Sequence, residues 1–129
     1  MMKIKIVFVY FFVLCCTIMP GHGPRISSSP YISGDGFRAI SHAIYDDAKS
    51  FNPAHIKKPS IIFIKTDLLF NFFRHIYPHI KAPIILITHN SDKSAPGKYL
   101  SRLNDKKIIH WFASNPSVAH HHKLSPIPI

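Results

Sequence analysis

The sequence predicts an α/β domain built around a parallel sheet. Two matched segments carry that expectation, Ile61-Ile-Phe-Ile-Lys-Thr-Asp67 and Ile84-Ile-Leu-Ile-Thr-His-Asn-Ser-Asp92. Each is a short run of β-branched and aromatic residues that breaks into polar residues at its C-terminal end. Such a run reads as a strand buried on both faces. The third observation is what lies between them. Leu68, Leu69, Phe72, Phe73 and Ile76 recur at helical spacing, so strand and helix alternate. The class is therefore α/β, a parallel Rossmann-like sheet with flanking helices.

The elements follow in chain order. Met1-Met-Lys-Ile-Lys5 is a short basic start, Ile6 to Met19 is apolar, and Pro20-Gly-His-Gly23 closes the run. These are the three regions of a signal peptide, assigned to residues 1–23. The run is short for a spanning helix, which needs about 20 residues. An uncleaved signal anchor is the alternative, because no Ala-x-Ala site follows. Leu14-Cys15-Cys16 matches a lipoprotein site poorly, since the residues before Cys16 are not small. The chain is thus expected to be secreted, periplasmic or lumenal, or membrane-anchored if the signal stays. Residues 24–30, rich in Ser and Pro, form a linker.

Residues 31–129 form the domain. Ser33 suits an N-cap, and Phe37, Ile40, Ile44 and Tyr45 predict a helix from about 34 to 48. A Pro- and Lys-containing loop leads to the first strand at 60–65. Asp67 is expected to cap the helix at 68–76, which Tyr77-Pro78 ends. The second strand is expected at 84–88, a short helix at 98–103 after Ser94-Ala-Pro-Gly97, and a third strand at 107–112. Leu124-Ser-Pro-Ile-Pro-Ile129 begins a fourth. The crossovers should be right-handed. Because the chain stops inside an apolar, strand-like run, the domain is expected to be truncated at its C-terminus.

At 129 residues the chain holds one domain at most. Cys15 and Cys16 both lie in the signal, which excludes disulfides and Cys-based metal sites from the rest. The formal net charge is +10, or +8 once Lys3 and Lys5 are set aside. All six acidic residues are Asp. An anionic partner fits this balance: a nucleotide-sugar phosphate, a lipid headgroup or an acidic glycan. A Lys-rich surface without a specific partner fits it as well. Nucleic acid is disfavoured, because the cations are scattered and the chain is exported.

Several chemistries are excluded by missing motifs. No Gly-x-Gly-x-x-Gly follows a strand, and no Walker-type Gly-Lys-Ser/Thr is present. There is no Gly-x-Ser-x-Gly elbow and no Asp-x-Asp pair, and with no Glu a two-carboxylate glycosidase would need two of only six Asp. The consecutive His120-His-His122 cannot all face one ion, and Pro78 interrupts His75 and His79. No metal and no cofactor are therefore assigned, and the histidines are read as solvent-exposed.

Ligands of open α/β sheets bind beyond the carboxyl ends of the strands. His89-Asn90-Ser91-Asp92 stands there, with His89 and Asp92 as candidate catalytic groups and Asn90 and Ser91 as binding groups. The alternative is that Asn90 and Asp92 make Asx turns. Lys65 and Asp67 end the neighbouring strand as further binding candidates, unless they serve as an ion pair and cap. Arg38 is a candidate for anionic groups or an i, i+3 partner of Asp35. Trp111 and Phe112 read as core.

Five segments occurring in this order resemble the N-terminal part of exostosin-like glycosyltransferase proteins. They are Tyr31-Ile-Ser-Gly-Asp-Gly-Phe-Arg-Ala-Ile40, Ile61 to Asp67, Ile85 to Asp92, Lys107-Ile-Ile-His-Trp-Phe-Ala-Ser-Asn115 and Pro126-Ile-Pro-Ile129. The resemblance implies two Rossmann domains and sugar transfer from a nucleotide donor to a glycan acceptor without an Asp-x-Asp metal site. It implies that the donor is held mostly by a C-terminal domain. This chain would then be an acceptor-side fragment, inactive alone. A non-catalytic exported module that binds an anionic glycan or surface partner is the alternative.

Overall fold

The computed structural model describes residues 32–128. The signal and linker assignments, residues 1–23 and 24–30, lie outside the described residues. Five parallel strands form one sheet in the order β1-β2-β3-β4-β5: β1 (Ala43–Tyr45), β2 (Ser60–Lys65), β3 (Ile84–His89), β4 (Ile108–Ala113) and β5 (Leu124–Pro126). The α/β class, the parallel sheet and its flanking helices are as the sequence predicts.

The side chains of β2 alternate between two cores. Ile62 and Ile64 face one side, while Ile61 and Phe63 face the other, all at most 1% exposed. The larger core receives side chains from all four connections between strands, including Ile56, Phe72, Phe73, Tyr77, Leu103 and Val118. The opposite core takes Phe37 and Ile40 from α1 (Gly34–Ala39). Strand order runs without reversal, and every described crossover contributes to the same face. Helix α1 packs on the other.

The first helix departs from expectation. Ser33 caps α1, accepting from the Gly36 N–H at 3.2 Å, but the helix stops at Ala39 rather than near Ala48. The Ser41 hydroxyl donates back to the Phe37 carbonyl, and His42 then binds the edge of β2 through both backbone and ring. Ala43, Ile44 and Tyr45 pair with Ile62, Phe63 and Ile64. Their helical spacing is overridden because a parallel edge offers these residues backbone partners and two apolar faces.

The second helical run also differs in detail. It begins as a 3-10 turn (Thr66–Leu68), makes one α-turn (Leu69–Asn71), widens into a π segment (Phe72–Ile76) and closes as a 3-10 turn (Tyr77–His79). Pro78 lacks the N–H that an α-helix would need there, so regular pitch is lost before it. Asp67 does not cap this run. Lys65 occupies the N-cap position without a side-chain bond, and Asp67 sits in the first turn. The predicted helix at 98–103 is a 3-10 segment, Gly97–Asn104. No helix among the described residues is long and apolar enough to cross a membrane.

Candidate functional site

The register of β2 and β3 puts Lys65 opposite His89, so the two polar clusters stand level at the carboxyl edge. Beside them β1 ends at Tyr45, and Asp46-Asp47 follows at the same edge. Helix α1 starts over this edge, and its first residue touches β3. A Cβ on Gly34 would stand 1.8 Å from Asn90 Oδ1 and 2.5 Å from His89 Nδ1, so only glycine fits.

These elements enclose a crevice of about 280 Å³ lined by Asp35, Asp46, Asp47, Lys65 and Asn90. Half of the six acids of a strongly basic chain therefore meet in one place. Asp46 is held from behind. Arg38 Nε donates to its Oδ2 at 2.6 Å, and its Oδ1 accepts the Ala48 and Lys49 N–H groups. Burial pushes the Asp46 carboxyl upward, but the Arg38 hydrogen bond and the two N–H donors outweigh it and hold it below the usual carboxylate range. Lys65 Nζ reaches Asp47 Oδ2 at 2.5 Å across the mouth, where Asp47 is largely exposed. Asn90 projects into the crevice from a left-handed turn at φ 58°. Asparagine tolerates that conformation better than most residues.

Of the seven residues singled out from sequence, Lys65 and Asn90 line the crevice and Arg38 supports it. His89 is buried at 5% exposure and packs against Phe37. Its Nδ1 meets the Asn90 N–H at 2.7 Å and Asn90 Oδ1 at 3.0 Å, and its Nε2 meets the Pro128 carbonyl at 2.8 Å. Both nitrogens are engaged, so the ring fixes the β3 turn and the chain beyond β5 rather than facing a ligand as a base. Asp92 is exposed and holds Asn115 through its carbonyl. Ser91 accepts the Lys93 N–H and reaches Asp67, while Asp67 pairs with Lys93 at 3.0 Å. These contacts hold the Asp67 carboxyl below its ordinary range, the Ser91 bond foremost.

Asp35, Asp46 and Asp47 are crevice residues that the sequence reading did not assign as a site. A signal for the last two was present: Ala43-Ile-Tyr-Asp-Asp47 repeats, in shorter form, the apolar run that ends in polar residues. Helical periodicity concealed it.

The histidines divide. His89 and His110 are buried, correcting the reading of all ten as exposed, whereas His55, His75, His79, His120 and His122 face solvent. His110 bonds Ser125 Oγ at 2.9 Å, and burial, with smaller contributions from His122 and His121, pushes it down to about 4. Among the described residues no three His, Cys or Asp side chains converge as metal ligands. No family model, curated protein or solved structure matches the chain.

Proposed function

We propose that the crevice binds the hydroxyl groups of a glycan, as the acceptor side of an exported, exostosin-like glycosyltransferase-related protein. The convergence of Asp35, Asp46, Asp47, Lys65 and Asn90 beyond three parallel strands carries this reading. Carboxylates accept from vicinal hydroxyls, while the amide and ammonium groups donate to them, giving the mixed set that a sugar ring needs. Three carboxylates lie around one lining ammonium group, with Arg38 occupied behind Asp46. A diphosphate would meet that negative charge unfavourably. A neutral acceptor glycan fits this crevice better than a nucleotide-sugar phosphate or an acidic glycan.

A non-catalytic binding module is favoured by one observation, the engagement of both His89 nitrogens. In the catalytic reading, the exposed Asp47 carboxylate, against Lys65, is the group at the mouth placed to take a proton from a sugar hydroxyl. Calorimetric titration with neutral oligosaccharides, acidic oligosaccharides and nucleotide sugars tests the reading. Neutral glycans should bind, and Asp47→Asn and Asn90→Ala should each weaken them about tenfold, the scale of one charge-assisted hydrogen bond. Absence of any glycan binding, or equal binding by both variants, would sink it.

A further inference from the structure

We propose that the outer face of the 66–79 helical run and the Gly97–Asn104 segment docks on an anionic membrane surface. The two pieces lie side by side over the larger core, joined by stacking of Phe73 on Tyr99 with ring centroids 4.7 Å apart. Their inward side chains, Leu69, Phe72, Phe73, Tyr77 and Leu103, are buried. Outward, two bulky apolar residues remain: Phe70 is 50% exposed and Leu100 38%. Scattered single apolar residues need no explanation. Phe70 stands among cations.

Arg74 Cζ lies 5.6 Å from the Phe70 ring centre and Lys98 Nζ 5.2 Å from it. Arg102 covers Phe73 and Tyr77 at 5.5 and 5.7 Å. All three cations are exposed, and among the described residues none forms an ion pair with a carboxylate. The nearby acids are committed elsewhere, Asp67 to Lys93 and Asp105 to the Tyr77 hydroxyl and the Lys107 N–H. The face is therefore net positive with an apolar centre.

Charge complementarity calls for an anionic partner, and the exposed Phe70 and Leu100 call for one that also takes up apolar groups. A bilayer with acidic lipids offers both at one depth. Arg and Lys heads reach the phosphates while their stems and the aromatic ring settle at the acyl boundary. A soluble acidic glycan offers only the charge. Each cation near such a surface strengthens attachment about five-fold.

The test is co-sedimentation of the full chain with vesicles of phosphatidylcholine, with and without phosphatidylglycerol. Any attachment through residues left unchanged is common to all variants and cancels in the comparison. Arg74→Glu/Lys98→Glu should weaken binding to the acidic vesicles at least about twenty-fold. Phe70→Ser should weaken it several-fold. Lys57→Glu/Lys58→Glu, an equal charge change at two exposed lysines in the loop before β2, should cause a much smaller loss. Circular dichroism checks that each variant is folded. Equal losses from the two charge-reversed pairs, or unchanged binding by Phe70→Ser, overturns the proposal. Phe70-dependent binding to soluble polyglutamate, as strong as to vesicles, overturns it too by assigning the face to an acidic protein.

Discussion

Arg38 Nε stands 2.6 Å from Asp46 Oδ2, and both side chains are at most 6% exposed. This contact ties α1 on one face of the sheet to the turn that follows β1. It also holds the Asp46 carboxylate at the crevice, while the Asp46 turn carries Asp47 to the mouth. The pair is eight residues apart in sequence and would be invisible in a helix running to Ala48.

Removing one partner of a buried pair leaves a charge without compensation. Arg38→Met should therefore destabilise the fold by about 3 kcal/mol or more. Urea unfolding should show a lower midpoint, and the Arg38→Met/Asp46→Leu double variant should recover part of the loss. A loss of stability below about 1 kcal/mol in Arg38→Met would mean that solvent screens the pair.

Gly34 admits no side chain because Asn90 and the His89 ring occupy the space. Gly34→Ala should cost about 1–3 kcal/mol through overpacking. Asn90→Gly removes the nearer obstruction and suits the φ of 58°, while His89 Nδ1 still stands 2.5 Å from the added Cβ, so the double variant should regain only part of that loss. If the two substitutions add independently, α1 and the β3 turn do not touch as described.

Thr88 and Trp111 are both fully buried, and the indole Nε1–H donates to Thr88 Oγ1 at 2.9 Å. Thr88→Val keeps the volume and strands the donor, which should cost about 1–3 kcal/mol. Trp111 is the single tryptophan, so its fluorescence reports the transition directly. Thr88→Ser keeps the hydroxyl and should lose less.

His110 gives the stability a pH dependence. Its folded value of about 4 lies below the ordinary 6.5, so the unfolded chain binds more protons between those values. Stability should be full above about pH 6.5 and fall as pH drops toward 4. His42 adds in the same direction, lowered first by burial and then by Lys58, and protonation would break its bond to the Ile61 N–H. Chemical denaturation from pH 7 to 4 should show the decline, and His110→Gln should flatten it. An unchanged slope in that variant would place the titration elsewhere.

Two stretches were legible because burial on both faces leaves a mark in the sequence itself. Ile61 to Ile64 and Ile84 to Ile87 read as strands, and their polar ends mark one edge of the sheet. Trp111 and Phe112 likewise read as core and are buried at 0% and 3%. The N-cap at Ser33 was legible too, because its bond reaches only three residues along the chain. By itself, then, the sequence determined the class, the inner strands and the edge to search.

The tertiary structure decided which side chains meet at that edge. Ala43-Ile-Tyr45 satisfies both helical and strand patterns, and only pairing with Ile62 to Ile64 selected the strand. That choice brought Asp46 and Asp47 beside Lys65, removed Arg38 to a supporting role, and set Gly34 against Asn90. It also turned His89 inward, onto Pro128. These contacts join residues 8 to 56 positions apart, and local sequence carries no trace of a partner at that distance. Periodicity reports which face is buried, while the identity of the neighbours is set by how the elements pack.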